Sequence, residues 1–119
     1  MTAETERAVQ PEDLTRLFVE RANAGDAEGL AALYEPDAIV AFPAGQLTVG
    51  RDAITALYRQ MLAAKPHFRL ETPLPTLVVG DLALTATPAL DEAGARAQVV
   101  RRQADGTWLR VLDRPDFRG

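Results

Sequence analysis

The chain has 119 residues, enough for one domain that buries roughly two-thirds of its unfolded surface. Apolar residues make up 47% and charged ones 25%, and the net charge of −4 leaves no basic stripe to neutralise phosphates, which argues against a nucleic-acid partner. With no cysteine there is no disulfide framework, thiolate nucleophile or thiolate metal site, and no apolar run approaches the ~20 residues a bilayer span needs.

Residues 1–9 are polar and acidic, without the apolar core of a signal peptide, so a flexible arm and a cytoplasmic location are expected. Pro11 suits a first helical turn, and Leu14, Leu17, Phe18 and Ala22 recur at helical spacing behind it. Gly25 ends this helix and Asp26 caps the next, where Leu30, Leu33 and Tyr34 repeat the pattern until Glu35-Pro36 stops it. Ile39 to Phe42 read as a short buried strand, and Gln46 to Val49 as a small strand or turn between Gly45 and Gly50. A third helix spans Arg51 to Ala64, with Ile54, Leu57, Tyr58, Met61 and Leu62 along one face.

From His67 the period becomes two, with Phe68 and Leu70 inward and His67, Arg69 and Glu71 outward. Pro73 and Pro75 suggest an edge or bulge. Leu77 to Val79 and Leu82 to Thr87 form a hairpin about Gly80-Asp81, and Ala95 to Ala104 and Thr107 to Asp113 a longer one about Asp105-Gly106. A two-residue turn at Asp105-Gly106 pairs Ala104 with Thr107, Arg102 with Leu109, Val100 with Val111 and Gln98 with Asp113, all on one face. The other face then carries Val99, Arg101, Gln103, Trp108, Arg110 and Leu112.

The two helices meeting at Asn23-Ala24-Gly25-Asp26, with Asp37-Ala38 leading into Ile39 to Pro43, resemble the nuclear-transport-factor-2-like superfamily, which includes ketosteroid isomerases and SnoaL-like polyketide cyclases. The helix start Gly50 to Ile54 and the last hairpin extend the resemblance over most of residues 12–113. It implies a single α+β domain, a cone-shaped curved antiparallel sheet wrapped around N-terminal helices (a cystatin-like roll). It also turns the Gln98–Asp113 face toward an enclosed pocket. Expected pocket-lining residues are Phe18, Tyr34, Val40, Phe42, Tyr58, Phe68, Leu84, Val100, Arg102, Leu109 and Val111. Pairing of family members through the opposite face implies a homodimer anchored by Val99, Trp108 and Leu112.

Ketosteroid isomerases use a carboxylate base with a tyrosine and a protonated aspartic acid as oxyanion hole. By motif matching those positions fall on Phe42, Phe18 and near Val100. A phenyl ring neither takes a proton nor donates a hydrogen bond, so that mechanism is absent as written. Asp113 is the remaining candidate. Facing inward beside Val111 it is a desolvated proton carrier, with Tyr34 or Tyr58 orienting the ligand; at the strand mouth it is instead solvated or paired with Arg114 or Arg96.

The lone His67 falls on the outward phase, and one histidine without cysteine makes a metal site poor; no cofactor is expected. The eight glycines are scattered at turns and cradle no phosphate, and a chain without serine cannot form a Ser/His/Asp triad. Two readings follow. One is a cofactor-free isomerase, cyclase or hydratase acting on a hydrophobic small molecule. The other is a non-catalytic ligand-binding or dimerisation domain, favoured by Phe18, Phe42 and Val100 at the matched positions.

Overall fold

The turn after the first helix fixes how the fold begins. In a computed structural model describing residues 6–89 and 94–116, helix α1 (Asp13–Asn23) buries Leu14, Leu17, Arg21 and Ala22. Its C-terminus closes with the Gly25 amide donating to the Ala22 carbonyl (3.0 Å) and the Asp26 amide to that of Arg21 (2.9 Å). This double closure needs a left-handed residue, and Gly25 supplies it at φ +71°. Asp26 then caps α2 (Ala27–Ala31), accepting from the Gly29 amide at 2.9 Å. A side chain at Gly29 would strike that carboxylate at 2.0 Å, so the cap itself demands glycine.

Helix α2 is shorter than its apolar spacing suggests. Strand β1 (Tyr34–Val40) starts three residues after it, which places Tyr34 at a strand end and not on a helix. The strand β2 (Thr48–Val49) and helix α3 (Arg51–Leu62) follow, α3 burying Ile54, Tyr58 and Leu62. Strands β3 (Leu77–Val79), β4 (Leu82–Thr87), β5 (Arg96–Arg102) and β6 (Trp108–Arg114) complete a curved, unclosed six-stranded sheet of order β2-β1-β6-β5-β4-β3. All neighbours are antiparallel except β1 and β6. The helices cover one face, and the core lies between them and the sheet, around Tyr34, Leu14, Leu17, Leu30, Ile54, Val40 and Val100.

The last hairpin departs from its expected register. The Gln103 amide donates to the Thr107 carbonyl (2.7 Å), leaving the three residues Ala104, Asp105 and Gly106 in the loop, with Gly106 at φ +85°. A three-residue loop ending in a left-handed glycine moves the pairing by one place. Arg102 therefore faces Trp108, Arg101 faces Leu109 and Val100 faces Arg110. The register shifts again between Val99 and Val100, with Val111 as the extra residue, so that Val99 meets Leu112 and Gln98 meets Asp113 as expected. Between the two shifts every side chain changes face. Trp108 (6% exposed) and Arg110 (4%) are buried, whereas Leu109 and Val111 are half-buried and leave the inner face. Trp108 is thus a core residue and not an anchor on the outer face.

Other segments also differ from expectation. Residues 67–71 form no strand, and Leu70 is exposed. This segment is held by Asn23, which donates to the Phe68 carbonyl (2.9 Å) and accepts from its amide (2.8 Å). Phe68 thereby faces α1, and His67 is exposed as its phase suggested. Residues 1–5 of the expected arm lie outside the described residues, but 6–9 are tied down. Ala8 is buried, its carbonyl accepts from Trp108 at 2.9 Å, and the Glu6 carbonyl accepts from buried Arg21. Among the described residues no helix is long and apolar enough to cross a membrane.

Removing a buried indole leaves a large cavity, so Trp108→Ala should cost about 3–5 kcal/mol in urea denaturation. A cost below about 1 kcal/mol would mean that Trp108 lies on the surface. His67→Ala should stay within about 0.5 kcal/mol of the parent.

Candidate functional site

Four strands and two helices contribute to a buried cluster, with β6 supplying two of its members. Because β1 and β6 run parallel, Tyr34 lies beside Arg110 and Val40 beside Asp113. Strand β5 sets Gln98 opposite Asp113, and β4 sets Thr85 opposite Gln98. Helix α3 supplies Tyr58 and α1 supplies Phe18. Tyr34, Tyr58, Thr85, Gln98, Arg110 and Asp113 are all buried.

Hydrogen bonds give the cluster a direction. The Tyr34 hydroxyl donates to Asp113 Oδ2 at 2.6 Å and lies 2.7 Å from the Tyr58 hydroxyl. Tyr34 has one proton and spends it on Asp113, so Tyr58 donates to Tyr34. On the other side Thr85 donates to Gln98 Oε1 (2.7 Å), which turns the Gln98 Nε2 toward Asp113 Oδ1 at 3.1 Å. Both carboxylate oxygens thus accept hydrogen bonds from neutral donors.

Arg110 is held more loosely. Its Nη1 donates to the Tyr34 hydroxyl at 3.4 Å and lies 3.6 Å from Asp113 Oδ2, beyond direct hydrogen bonding, while Nε has no partner among the described residues. The guanidinium stacks over the Phe18 ring at 5.1 Å and near the Tyr34 ring at 5.8 Å. Phe18 in turn meets Tyr58 and Phe68 edge-on, with centroids 5.7 and 5.9 Å away. Burial pushes the Tyr34 hydroxyl well above the ordinary tyrosine range, and the Asp113 charge pushes it the same way. Tyr58 is raised by the same two causes. Burial works against the Arg110 charge, but Tyr34, Asp113 and Tyr58 together hold its pKa above the ordinary arginine value.

This cluster floors a cavity of about 320 Å³. Its walls are apolar, from Phe18, Val19, Val40, Phe42, Met61 and Phe68, and Tyr58, Gln98, Arg110 and Asp113 face it from below. Exposed Arg69 and half-buried Glu71, Arg96 and Asp116 stand toward the rim, where Arg96 pairs with Glu71. A mostly apolar cleft with a few convergent polar groups is the usual form of a small-molecule site. No group of three His, Cys, Asp or Glu able to hold a metal occurs among the described residues.

Of the residues singled out from the sequence, Phe18, Val40, Phe42, Tyr58, Phe68 and Asp113 line the cavity. Tyr34 stands one hydrogen bond behind Tyr58, and Val100 is fully buried in the core. Four others are elsewhere. Leu84 is 40% exposed on the outer face, and Arg102 is exposed and bound to Asp81. Leu109 and Val111 are turned away by the register shifts. Asp113 pairs with Arg110, and not with Arg114 or Arg96. Sequence reasoning missed Arg110 and the Thr85–Gln98 arm. The available signal was Trp108: any register that buries this indole also turns Arg110, two residues on, inward.

A family model described as a SnoaL-like domain matches residues 15–117. No curated protein matches the chain. Among solved structures, a candidate calcium/calmodulin-dependent protein kinase type II association domain from Thiobacillus denitrificans is 24% identical, with 92% of this chain and 98% of that one covered at a TM-score of 0.71. A ketosteroid isomerase-like protein from Erwinia carotovora atroseptica is 17% identical over 87% and 89% of the two chains, with a TM-score of 0.66. A candidate dehydratase of the NTF2-like family from Streptomyces avermitilis is 19% identical over 88% and 91%, with a TM-score of 0.68. Likeness at these identities shows the fold alone.

Removing one member of a buried ion pair strands the other charge. Asp113→Asn and Arg110→Gln should each cost about 3 kcal/mol or more in urea denaturation, and the double variant clearly less than their sum. Additive costs would mean that the two charges are independent.

Proposed function

We propose that this chain, which belongs to the SnoaL-like domain family, binds a hydrophobic small molecule and moves a proton on it without a cofactor, as in isomerisation, cyclisation, dehydration or hydration. One observation carries the reading: a buried carboxylate, Asp113, lies in the floor of an apolar cavity at the end of a Tyr58–Tyr34 hydrogen-bond chain. Asp113 is the proton carrier. Tyr58 orients the ligand from the cavity side, and Tyr34 links it to the carboxylate. A proton arriving on the Tyr58 oxygen can be matched by transfer of Tyr58's own proton to Tyr34 and of Tyr34's to Asp113, with no heavy atom moving far. The apolar walls exclude water and strengthen these interactions.

A second reading has its own support. Both Asp113 oxygens already accept hydrogen bonds, as expected of a carboxylate fixed for structure, and Phe18 and Phe42 offer apolar contact only. The protein would then capture a ligand without changing it.

Deuterium uptake beside the carbonyl of 2-tetralone in D2O, followed by proton NMR, separates the two. The enzyme reading expects exchange above buffer that falls ~10²-fold or more per folded molecule in Asp113→Asn. Wild-type exchange no faster than buffer, or a variant within about threefold of wild type, overturns it. The capture reading expects Phe42→Ala to weaken 2-tetralone binding while Asp113→Asn hardly matters.

A homodimer through the outer sheet face belongs to the same proposal. Exposed Leu82, Leu84 and Leu112, with half-buried Ile39 and Val99 beside them, support it in place of Trp108. Leu112→Glu should turn a dimer into a monomer in sedimentation at micromolar concentration. A wild-type monomer there would count against the pairing.

A further inference from the structure

Arg110 is a buried cation with most of its donors unspent. A guanidinium has five N–H groups. The one hydrogen bond it makes within the described residues is 3.4 Å long, its ion pair is 3.6 Å, and Nε is unpartnered. Structural arginines in this same chain are bound more closely: Arg21 Nη1 donates to the Gly29 carbonyl at 2.7 Å, and Arg51 contacts the Tyr34 carbonyl through two nitrogens. Burying a charge without close acceptors is costly, and Arg110 faces the cavity, where a ligand oxygen can supply them.

We propose that Arg110 is a catalytic residue that receives the oxygen of a neutral, hydrophobic carbonyl substrate and carries the negative charge that develops there, exchanging Asp113 for that oxygen as its counter-ion. The inference rests on Asp113 being the proton carrier. When Asp113 takes a proton from the carbon next to the carbonyl through the Tyr58–Tyr34 chain, that C–H bond breaks, the hydroxyl protons shift one place along the chain and an O–H bond forms on the carboxylate. The C–H electron pair becomes the C=C bond of an enolate, and the carbonyl π pair moves onto oxygen. Negative charge leaves Asp113 as it appears on the substrate oxygen, so the site keeps one cation and one anion throughout and nothing is oxidised or reduced. Return of the proton to another carbon completes an isomerisation.

Selectivity follows from the same pair. Before reaction Asp113 already balances Arg110 at 3.6 Å, so a ligand carboxylate placed on Arg110 would add a second anion beside the first. Like charges at such a distance repel, and the site prefers a neutral oxygen that becomes charged only during reaction.

The test uses 2-naphthol, a flat hydrophobic phenol that is neutral at pH 7.5 and whose anion has its own absorption band. Asp113→Asn imitates the charge state after proton transfer, leaving Arg110 without a counter-ion. In that variant bound 2-naphthol should show the naphtholate spectrum. In wild type, and in Asp113→Asn combined with Arg110→Gln, it should bind with the neutral spectrum. Wild type should also bind 2-naphthol at least about tenfold more tightly than 2-naphthoate, a comparison that needs no variant to fold. A neutral spectrum in Asp113→Asn, or wild-type preference for the carboxylate, overturns the role of Arg110 while leaving proton transfer by Asp113 to the 2-tetralone exchange. Failure of wild type to bind 2-naphthol at all overturns the cavity reading, and this one with it.

Discussion

A guanidinium and a carboxylate enclosed together, 3.6 Å apart, are the constraint around which the structure is arranged. Neither charge could be buried alone without a penalty of several kcal/mol, and the pair is tolerable only because neutral donors complete the carboxylate's shell. Tyr34 does so on one oxygen and Gln98 on the other. Each donor is held by a further group, Tyr58 behind Tyr34 and Thr85 behind Gln98. Strands that are distant in sequence must therefore meet in one register for the charges to be tolerated, which couples the fold to the site.

The backbone meets that demand with two one-residue shifts. The three-residue loop at Ala104–Gly106 turns Trp108 and Arg110 inward, and the extra residue at Val111 restores the phase so that Asp113 also points inward. A regular strand of alternating faces could not put both Arg110 and Asp113, three residues apart, on the same side. The bulge is thus what allows one strand to supply both members of the pair. Strand β1, parallel to β6, carries its own irregularity between Tyr34 and Ile39, where Tyr34 pairs with Arg110 and Val40 with Asp113. Bulges often re-aim side chains beside binding sites.

Much of this was legible in the sequence because it depends on local chemistry. Gly25 and Asp26 announce the helix junction, the apolar face of α3 is unmistakable, and Gly80-Asp81 forms the hairpin it suggests. The inward Asp113 was also readable, but for an incomplete reason, since the two register shifts cancel before that residue. Arg110 was hidden by the same cancellation: an alternating pattern counted from Asp105-Gly106 has no mark for a residue gained in the loop and returned at Val111. Leu30, Leu33 and Tyr34 match helical spacing, although the chain leaves α2 at Ala31 and Tyr34 opens a strand. The stretch from His67 to Glu71 alternates like a strand but is fixed by two hydrogen bonds between Asn23 and the Phe68 backbone, a tertiary contact that no periodicity reveals.

The cluster under the cavity is desolvated and joined to a carboxylate, and the chain's two tyrosines report on it alone, since both belong to it. A folded-state pKa raised above that of the unfolded chain stabilises the fold fully below the unfolded value. Above about pH 10, where free tyrosine ionises, the unfolded chain gives up phenolic protons that the folded one keeps, so stability should fall as pH rises further. The direct measurement is an alkaline titration of phenolate absorbance alongside circular dichroism. Neither tyrosine should ionise near pH 10, and phenolate should appear only together with loss of the fold. Reversible ionisation of either tyrosine near pH 10 with the fold intact would contradict it.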